Sequence, residues 1–356
     1  MTVEAWHQGA ASVPGGDRRS RSRTSTRILT EARDVVEPAH RAAVDRLPEQ
    51  LRLVAGYHAG WWDVEGRPCA AAGKALRPAL VLACARAAAG DRAAQAAEAV
   101  VRAAVAVELA HDFTLLHDDV MDGDRLRRHR PSAWTVFGVS QAILVGDALS
   151  VLALDVLADA ALASVLSAAL MEMCAGQSAD LAFESRDEVA LAECWTMAEG
   201  KTGALLGAAC QLGALAVGAD GAAAASFRGF GRNLGVAYQL VDDLLGIWGD
   251  PASTGKPAGS DLVARKKTLP VVAALTSGSQ AGERLAHLYG RDEEWDEETV
   301  AHGAGLIETA GGRRWAKAEA GRRAEVALAW LRRADPDPAA AADLHTLTAL
   351  ITGRDR

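Results

Sequence analysis

The sequence predicts an all-α fold built as one large helical bundle, and three observations carry that prediction. Half of the 356 residues are apolar, and from about residue 28 onward Ala and Leu, both good helix formers, dominate. Runs alternating β-branched and aromatic residues, the mark of strands, are missing. Breakers cut the chain into pieces of helix length.

Taken in order, residues 1–27 combine Gly, Ser and Pro with Arg18, Arg19, Arg21, Arg23 and Arg27 and have little to bury, so they are expected to form a flexible polar tail. The remainder, 28–356, is expected to be one domain. Gly66-Arg67-Pro68, Gly90-Asp91, Arg130-Pro131, Gly218 to Gly221, Gly249 to Gly259, Gly311-Gly312 and Asp335 to Pro338 mark its turns. Long helices are predicted between them, for example over 93–122, 187–217 and 222–248. No repeat period points to a solenoid, and no linker separates two halves. The C-terminal third is more charged, with Glu293 to Glu298 read as a solvated face.

Charge excludes one class of partner. With 46 acidic and 38 basic residues the net charge is −8, so no global basic field is available to hold a nucleic-acid backbone. The five cysteines, Cys69, Cys84, Cys174, Cys194 and Cys210, are odd in number and contain no C-x-x-C pair. That suits a reducing cytoplasm better than a disulfide framework or a structural zinc. Apolar stretch 204–219 is too short to span a bilayer, stretch 147–170 is broken by Asp155 and Asp159, and no signal-peptide core follows the N-terminus, so no membrane span is expected.

Carboxylates appear where an apolar helix should avoid them. Segment 113–132, FTLLHDDVMDGDRLRRHRPS, carries Asp118, Asp119 and Asp122 with no basic residue before Arg125. At about 100° per residue, Asp118 and Asp122 share one helix face, where like charges at i, i+4 cost a few tenths of a kcal/mol. A cation should compensate them. Oxygen-only ligands favour hard divalent ions, and Mg²⁺ takes one or two carboxylates and completes its shell with water and phosphate. A second pair, Asp242 and Asp243, ends another apolar helix, followed by Asp250. Lys74 and Arg77, Arg127 and Arg128, Lys201-Thr202, and Lys256, Arg265, Lys266 and Lys267 cluster near breakers. Two acidic pairs that can face each other across a bundle core, with basic residues around them, suggest a metal and diphosphate site.

Each piece alone has a blander explanation. One D-D-x-x-D is commonly a solvated helix face, isolated lysines are ordinary surface residues, and His111 on an apolar helix is usually a core histidine. The duplication of the acidic pair, each after core-type residues, favours the metal site. T-G-K-P at 254–257 is not a phosphate loop, because Asp250 stands where the first glycine is needed and Pro257 replaces the hydroxyl residue.

Together the motifs GKALRP (73–78), LLHDDVMDGDRLRRHRPS (115–132), GDAL (146–149), GQSADLAFE (176–184), GKTGALLG (200–207) and YQLVDDLLGIWGDPASTGKPAGSDLVARKKTLP (238–270) resemble the trans-isoprenyl diphosphate synthases, the polyprenyl synthetase family. They are most similar to its geranylgeranyl diphosphate synthases. The resemblance implies an all-α homodimer of the isoprenoid synthase type with a central cavity, joining isopentenyl diphosphate to an allylic diphosphate with about three Mg²⁺ per active site. By that resemblance Asp118, Asp119, Asp122, Asp242 and Asp243 form the metal motifs, with Asp118, Asp122 and Asp242 as direct ligands. Arg127, Lys201, Gln239 and Lys256 would contact the allylic diphosphate, and Lys266 would also bind substrate. Gly73, Lys74, Arg77, His111 and Arg128 would form the isopentenyl diphosphate pocket. Thr202 and Gln239 would offer oxygen dipoles to the allylic cation. Phe113 and Thr114, just before Asp118, would limit chain length, and in the resembling family a Phe there followed by a small residue goes with C20 products. One departure stands out: Gly246 occupies a position where family members often carry a third Asp, so an Asp placed there is expected to change activity little.

Other readings of the same scaffold are a farnesyl diphosphate synthase, a class I terpene cyclase and a non-catalytic partner subunit. A cyclase pairs D-D-x-x-D with N-x-x-x-S/T-x-x-x-E, but Asn233 is followed by Ala237 and Val241. A partner subunit would be expected to lose one aspartate motif, and both are present.

Overall fold

The computed structural model describes residues 23–69, 75–251, 258–291 and 293–353. They are almost entirely helical. The order is α1 (Ser25–Val44), α2 (Glu49–Ala59), α3 (Leu76–Ala89), a 3₁₀ turn Gly90–Ala96, α4 (Ala97–Met121), α5 (Ala133–Phe137), α6 (Val139–Asp155), α7 (Ala160–Glu184) and α8 (Leu191–Ala198). A π turn, Glu199–Gly203, leads into α9 (Ala204–Ala216) and α10 (Gly221–Trp248). Then follow α11 (Ser260–Val263), α12 (Leu269–Leu275), α13 (Gln280–Tyr289), α14 (Glu297–Thr309), α15 (Gly312–Arg333) and α16 (Pro338–Thr352).

The first helix starts before the boundary read from sequence. Thr24 caps it by accepting from Arg27 N at 3.3 Å, satisfying one of the N–H groups a helix start leaves open. Arg23 donates from Nε to Asp343 Oδ1 at 3.0 Å, and Asp343 is buried. From there Ile28, Ala32, Val36 and His40 repeat every four residues and form the buried stripe of α1.

The helices gather into two compact units, neither a continuous stretch of chain. One comprises the described part of the first 168 residues, Leu206–Gly229 and Trp330–Leu347. Its core is dense around α3, where Ala79 through Ala85 are all buried, and around α4. Helix α4 is apolar on nearly every side, as a central helix must be. The other unit comprises Ala169–Leu205, Phe230–Ala329 and the chain from Thr348. Its core joins Phe183, Cys194, Met197, Val236, Leu240, Leu244 and Leu269.

Two local features differ from the sequence reading. The single helix expected over 187–217 is interrupted by the π turn, and the expected helix over 93–122 begins as 3₁₀. A two-stranded ribbon, β1 (Leu126–Arg127) and β2 (Arg130–Pro131), follows the first acidic motif. Arg127 pairs with Arg130 in that ribbon, so Arg128 and His129 form a two-residue turn, with φ of 52° and 63°. Such turns favour Asn-Gly, so backbone strain is held where two basic side chains are displayed.

Helix α7 is, by length and composition, apolar enough to cross a membrane. Its Glu172 and Asp180 form ion pairs with Arg232 and Lys201.

Candidate active site

In the first unit the acidic motif occupies the last turn of α4. Asp118 and Asp122 are partly exposed, and Asp122 is the C-cap residue, its N–H donating to Asp118 O at 2.8 Å. The two carboxylates thus lie at the negative end of a helix dipole, where anions are disfavoured and a cation is stabilised. Asp119 behaves differently. It is buried at 1% exposure, and its Oδ1 accepts from Arg127 Nε at 2.9 Å and also from the Arg127 terminal nitrogen. Asp119 therefore orients Arg127 from the ribbon and faces away from solvent.

His111 is mostly buried, and burial together with the charges of Arg77, Arg128 and Arg127 holds its imidazole neutral, well below the usual range. Thr114 folds its hydroxyl onto His111 O at 2.7 Å. Phe113 is buried at 8% exposure and meets His117 edge-on, with ring centroids 5.8 Å apart. Arg128 is exposed at the strained turn. Behind these residues lies a polar cluster that the sequence reading missed: Asp112 stands 3.4 Å from His40 Nε2 and 3.9 Å from His58 Nε2. Burial, then the charge of Glu108, pushes Asp112 up to about 8, while burial lowers His40 to about 3. A cleft beside it is lined by Arg33, Glu37, His40, Glu108, Asp112 and Arg128. No sequence signal links residues on α1, α2 and α4.

In the second unit the adjacent carboxylates of α10 diverge. Asp242 is exposed, whereas Asp243 is 4% exposed. Asp243 Oδ2 accepts from Leu269 N at 3.0 Å and Oδ1 from Gln239 Nε2 at 2.7 Å. Gln239 Oε1 in turn accepts from the Thr202 hydroxyl at 2.5 Å. Asp243, expected among the metal residues, is buried and anchors a chain that fixes Gln239 and Thr202. Burial pushes its carboxyl up to about 8, with the nearby Asp261 and Asp242 charges adding to the rise. The oxygen of Gln239 is engaged by Thr202, so of the two expected dipoles Thr202 Oγ1, whose proton is donated away, is the better placed.

Lys201 and Thr202 lie in the π turn, a rare irregularity that recurs at functional sites. Lys201 Nζ donates to Asp180 Oδ2 at 2.6 Å. Asp180 falls within a motif noticed in the sequence, but nothing there gave it a role. Lys266 is mostly buried, and its carbonyl accepts from Tyr289 OH at 3.4 Å. Arg77 is partly exposed at the start of α3. Gly73, Lys74 and Lys256 lie outside the described residues.

Gly246 has a structural reason. A Cβ there would sit 2.0 Å from Asp261 Oδ2 and 2.5 Å from Asp261 Cγ. An Asp at 246 therefore requires the Asp261 carboxylate to move aside and sets a second charge beside it, so a cost is expected where the sequence alone suggests little change. Gly246→Asp should lower stability by about 1–3 kcal/mol and activity with it. A thermal melt and turnover both equal to wild type would refute this.

Among the described residues no group of three or more His, Cys, Asp or Glu side chains is gathered for a metal. In the first unit Asp118 and Asp122, at the end of α4, offer oxygen donors only, the kind of pair that Mg²⁺ takes when phosphate completes its shell, and in the second unit Asp242 is likewise an exposed oxygen donor. The chemistry of these donors fits Mg²⁺.

Residues 67–303 match the polyprenyl synthetase family. The chain is 44% identical over 360 residues to the (2E,6E)-farnesyl diphosphate synthase of Mycobacterium tuberculosis, covering 97% of each. It is 44% identical over 336 residues to the geranylgeranyl diphosphate synthase of that organism, covering 92% of this chain and 93% of the relative. Among solved structures, the polyprenyl synthetase of Streptomyces coelicolor A3(2) matches with a TM-score of 0.86 and 44% identity, over 92% of this chain and 99% of that one.

Proposed function

This chain belongs to the polyprenyl synthetase family, and we propose that it extends an allylic diphosphate with isopentenyl diphosphate to give geranylgeranyl diphosphate. It is an isoprenyl diphosphate synthase, a prenyltransferase. The observation that carries the C20 product is Phe113, buried on α4 five residues before Asp118 and followed by the small Thr114. Farnesyl diphosphate is the second reading, favoured by equal identity to a farnesyl diphosphate synthase over a longer stretch.

Asp118, Asp122 and Asp242 are the proposed ligands for Mg²⁺, which when bound neutralises the charge that develops on the departing diphosphate. Arg127 is preset by Asp119 and Lys201 by Asp180, so the donors for that diphosphate are fixed before substrate arrives. His111 would donate one hydrogen bond from its imidazole N–H to an oxygen of the isopentenyl diphosphate. Thr202 Oγ1 supports the allylic cation while apolar walls exclude water.

Free cysteines, three of them buried, suit the reducing cytoplasm proposed as its compartment. A homodimer is proposed because α6 leaves Val139, Ile143, Leu144 and Val151 exposed, an apolar face that a second copy would cover.

Incubation of the chain with isopentenyl diphosphate and dimethylallyl, geranyl or farnesyl diphosphate in Mg²⁺, followed by chromatography of the dephosphorylated products, tests the reading. A C20 alcohol is expected from each primer. Accumulation of the C15 alcohol, with farnesyl diphosphate unused, would overturn it in favour of the second reading.

A further inference from the structure

The ion pair between Lys201 and Asp180 is built into the fold. Both side chains are about four-fifths buried, at 19% and 18% exposure, and Nζ is 2.6 Å from Oδ2. Asp180 lies one turn after Gly176 on α7, and a Cβ at Gly176 would meet Lys201 N at 2.3 Å. The backbone of the π turn therefore rests on the stripe of α7 that carries Asp180. Glu172, a turn earlier on that stripe, pairs with Arg232. Lys201 thus reaches Asp180 from a fixed main chain, unlike the mobile surface pairs that contribute little.

A diphosphate that engages Lys201 competes with Asp180 for the ammonium's donors and lies close to that carboxylate. Like charges at about 5 Å in a partly buried setting repel strongly enough to change affinity about tenfold or more. The reaction also leaves inorganic diphosphate among cations, and binding it as tightly as the transition state would slow each turnover.

We propose that Asp180 is a positioning residue that acts through Lys201, holding the ammonium in the diphosphate-free enzyme and reclaiming it as diphosphate leaves. This rests on the reading of Lys201 as a diphosphate contact. Asp180 weakens binding of the ground state and of the product alike, and presents Lys201 in one orientation.

Calorimetry with inorganic diphosphate and Mg²⁺, alongside steady-state kinetics, tests this on wild type, Asp180→Asn, Asp180→Glu, Lys201→Ala and the Asp180→Asn/Lys201→Ala double variant. Asp180→Asn should bind diphosphate about tenfold more tightly, with KM for the allylic substrate and kcat both lowered and the melting temperature little changed. Asp180→Glu should return toward wild type, and the gain should vanish in the double variant. A purely structural Asp180 would instead lower stability and affinity together. Unchanged or weaker diphosphate binding in Asp180→Asn, while Lys201→Ala weakens it, would overturn the role of Asp180 and leave the Lys201 reading standing. Unchanged binding in Lys201→Ala would remove that reading and this inference with it. Should the Asn variant not fold, Asp180→Ser is read by the same criteria.

Discussion

Replacing Asp118, Asp122 or Asp242 with Ala should each lower kcat about a thousandfold or more, a loss of about 4 kcal/mol of transition-state stabilisation, while the protein stays folded. The two halves of this expectation share one cause. Asp118 and Asp122 are like charges at i, i+4 on the last turn of α4, at the negative end of its dipole. Their mutual repulsion opposes the helix, so losing either should leave the melting temperature unchanged or slightly raised. Asp119→Ala gives the contrast. It strips a buried carboxylate from Arg127, and breaking such a pair costs about 3–5 kcal/mol, so this variant should lose stability as well as activity. Steady-state kinetics paired with thermal melts separates the two classes. Turnover that persists in EDTA would refute the metal role of Asp118, Asp122 and Asp242.

Phe113→Ala should carry products beyond C20, and Thr114→Phe should shorten them toward C15. Phe113 is a buried ring held edge-on to His117, so its volume is fixed in place and does not yield to one more five-carbon unit. Removing it opens space on α4 at a stability cost of about 3–5 kcal/mol, and melts should accompany product analysis. Thr114 presently turns its hydroxyl back onto His111 O, occupying little room. A Phe there adds a ring that a packed helix face cannot absorb cheaply. If chromatography of the dephosphorylated products returns one chain length for wild type and both variants, the stop lies elsewhere.

Much of this was legible in the chain. Helix α10 was expected over 222–248 and runs Gly221–Trp248, because Gly218 to Gly221 and Gly249 to Pro251 punctuate an apolar run in which no breaker intervenes. The end of α4 was placed within one residue for the same reason. The π turn at Glu199–Gly203 was not legible. Residues EGKTG look like a continuation of a helix, and the close approach of this turn to the bare backbone at Gly176 is a contact between segments distant in sequence. The helical start at Ser25 was within reach of the sequence, since Thr24 is a good N-cap, but the Arg-rich composition masked it.

By itself the sequence determined the helical class and the residue types of the site, because helix periodicity, breakers and charge in an apolar run are all properties of neighbours along the chain, while the family came from the resemblance of its motifs. Only the tertiary structure decided which member of each acidic pair is accessible. Asp119 and Asp243 are as acidic as their neighbours in sequence, yet one is buried against Arg127 and the other against Gln239 and the Leu269 amide. It also decided that the Asp261 carboxylate lies over the bare Gly246, and that Lys201 is held by Asp180. Burial and hydrogen-bond partners come from residues distant in sequence, and they set whether a carboxylate binds a cation, orients an arginine or anchors a helix.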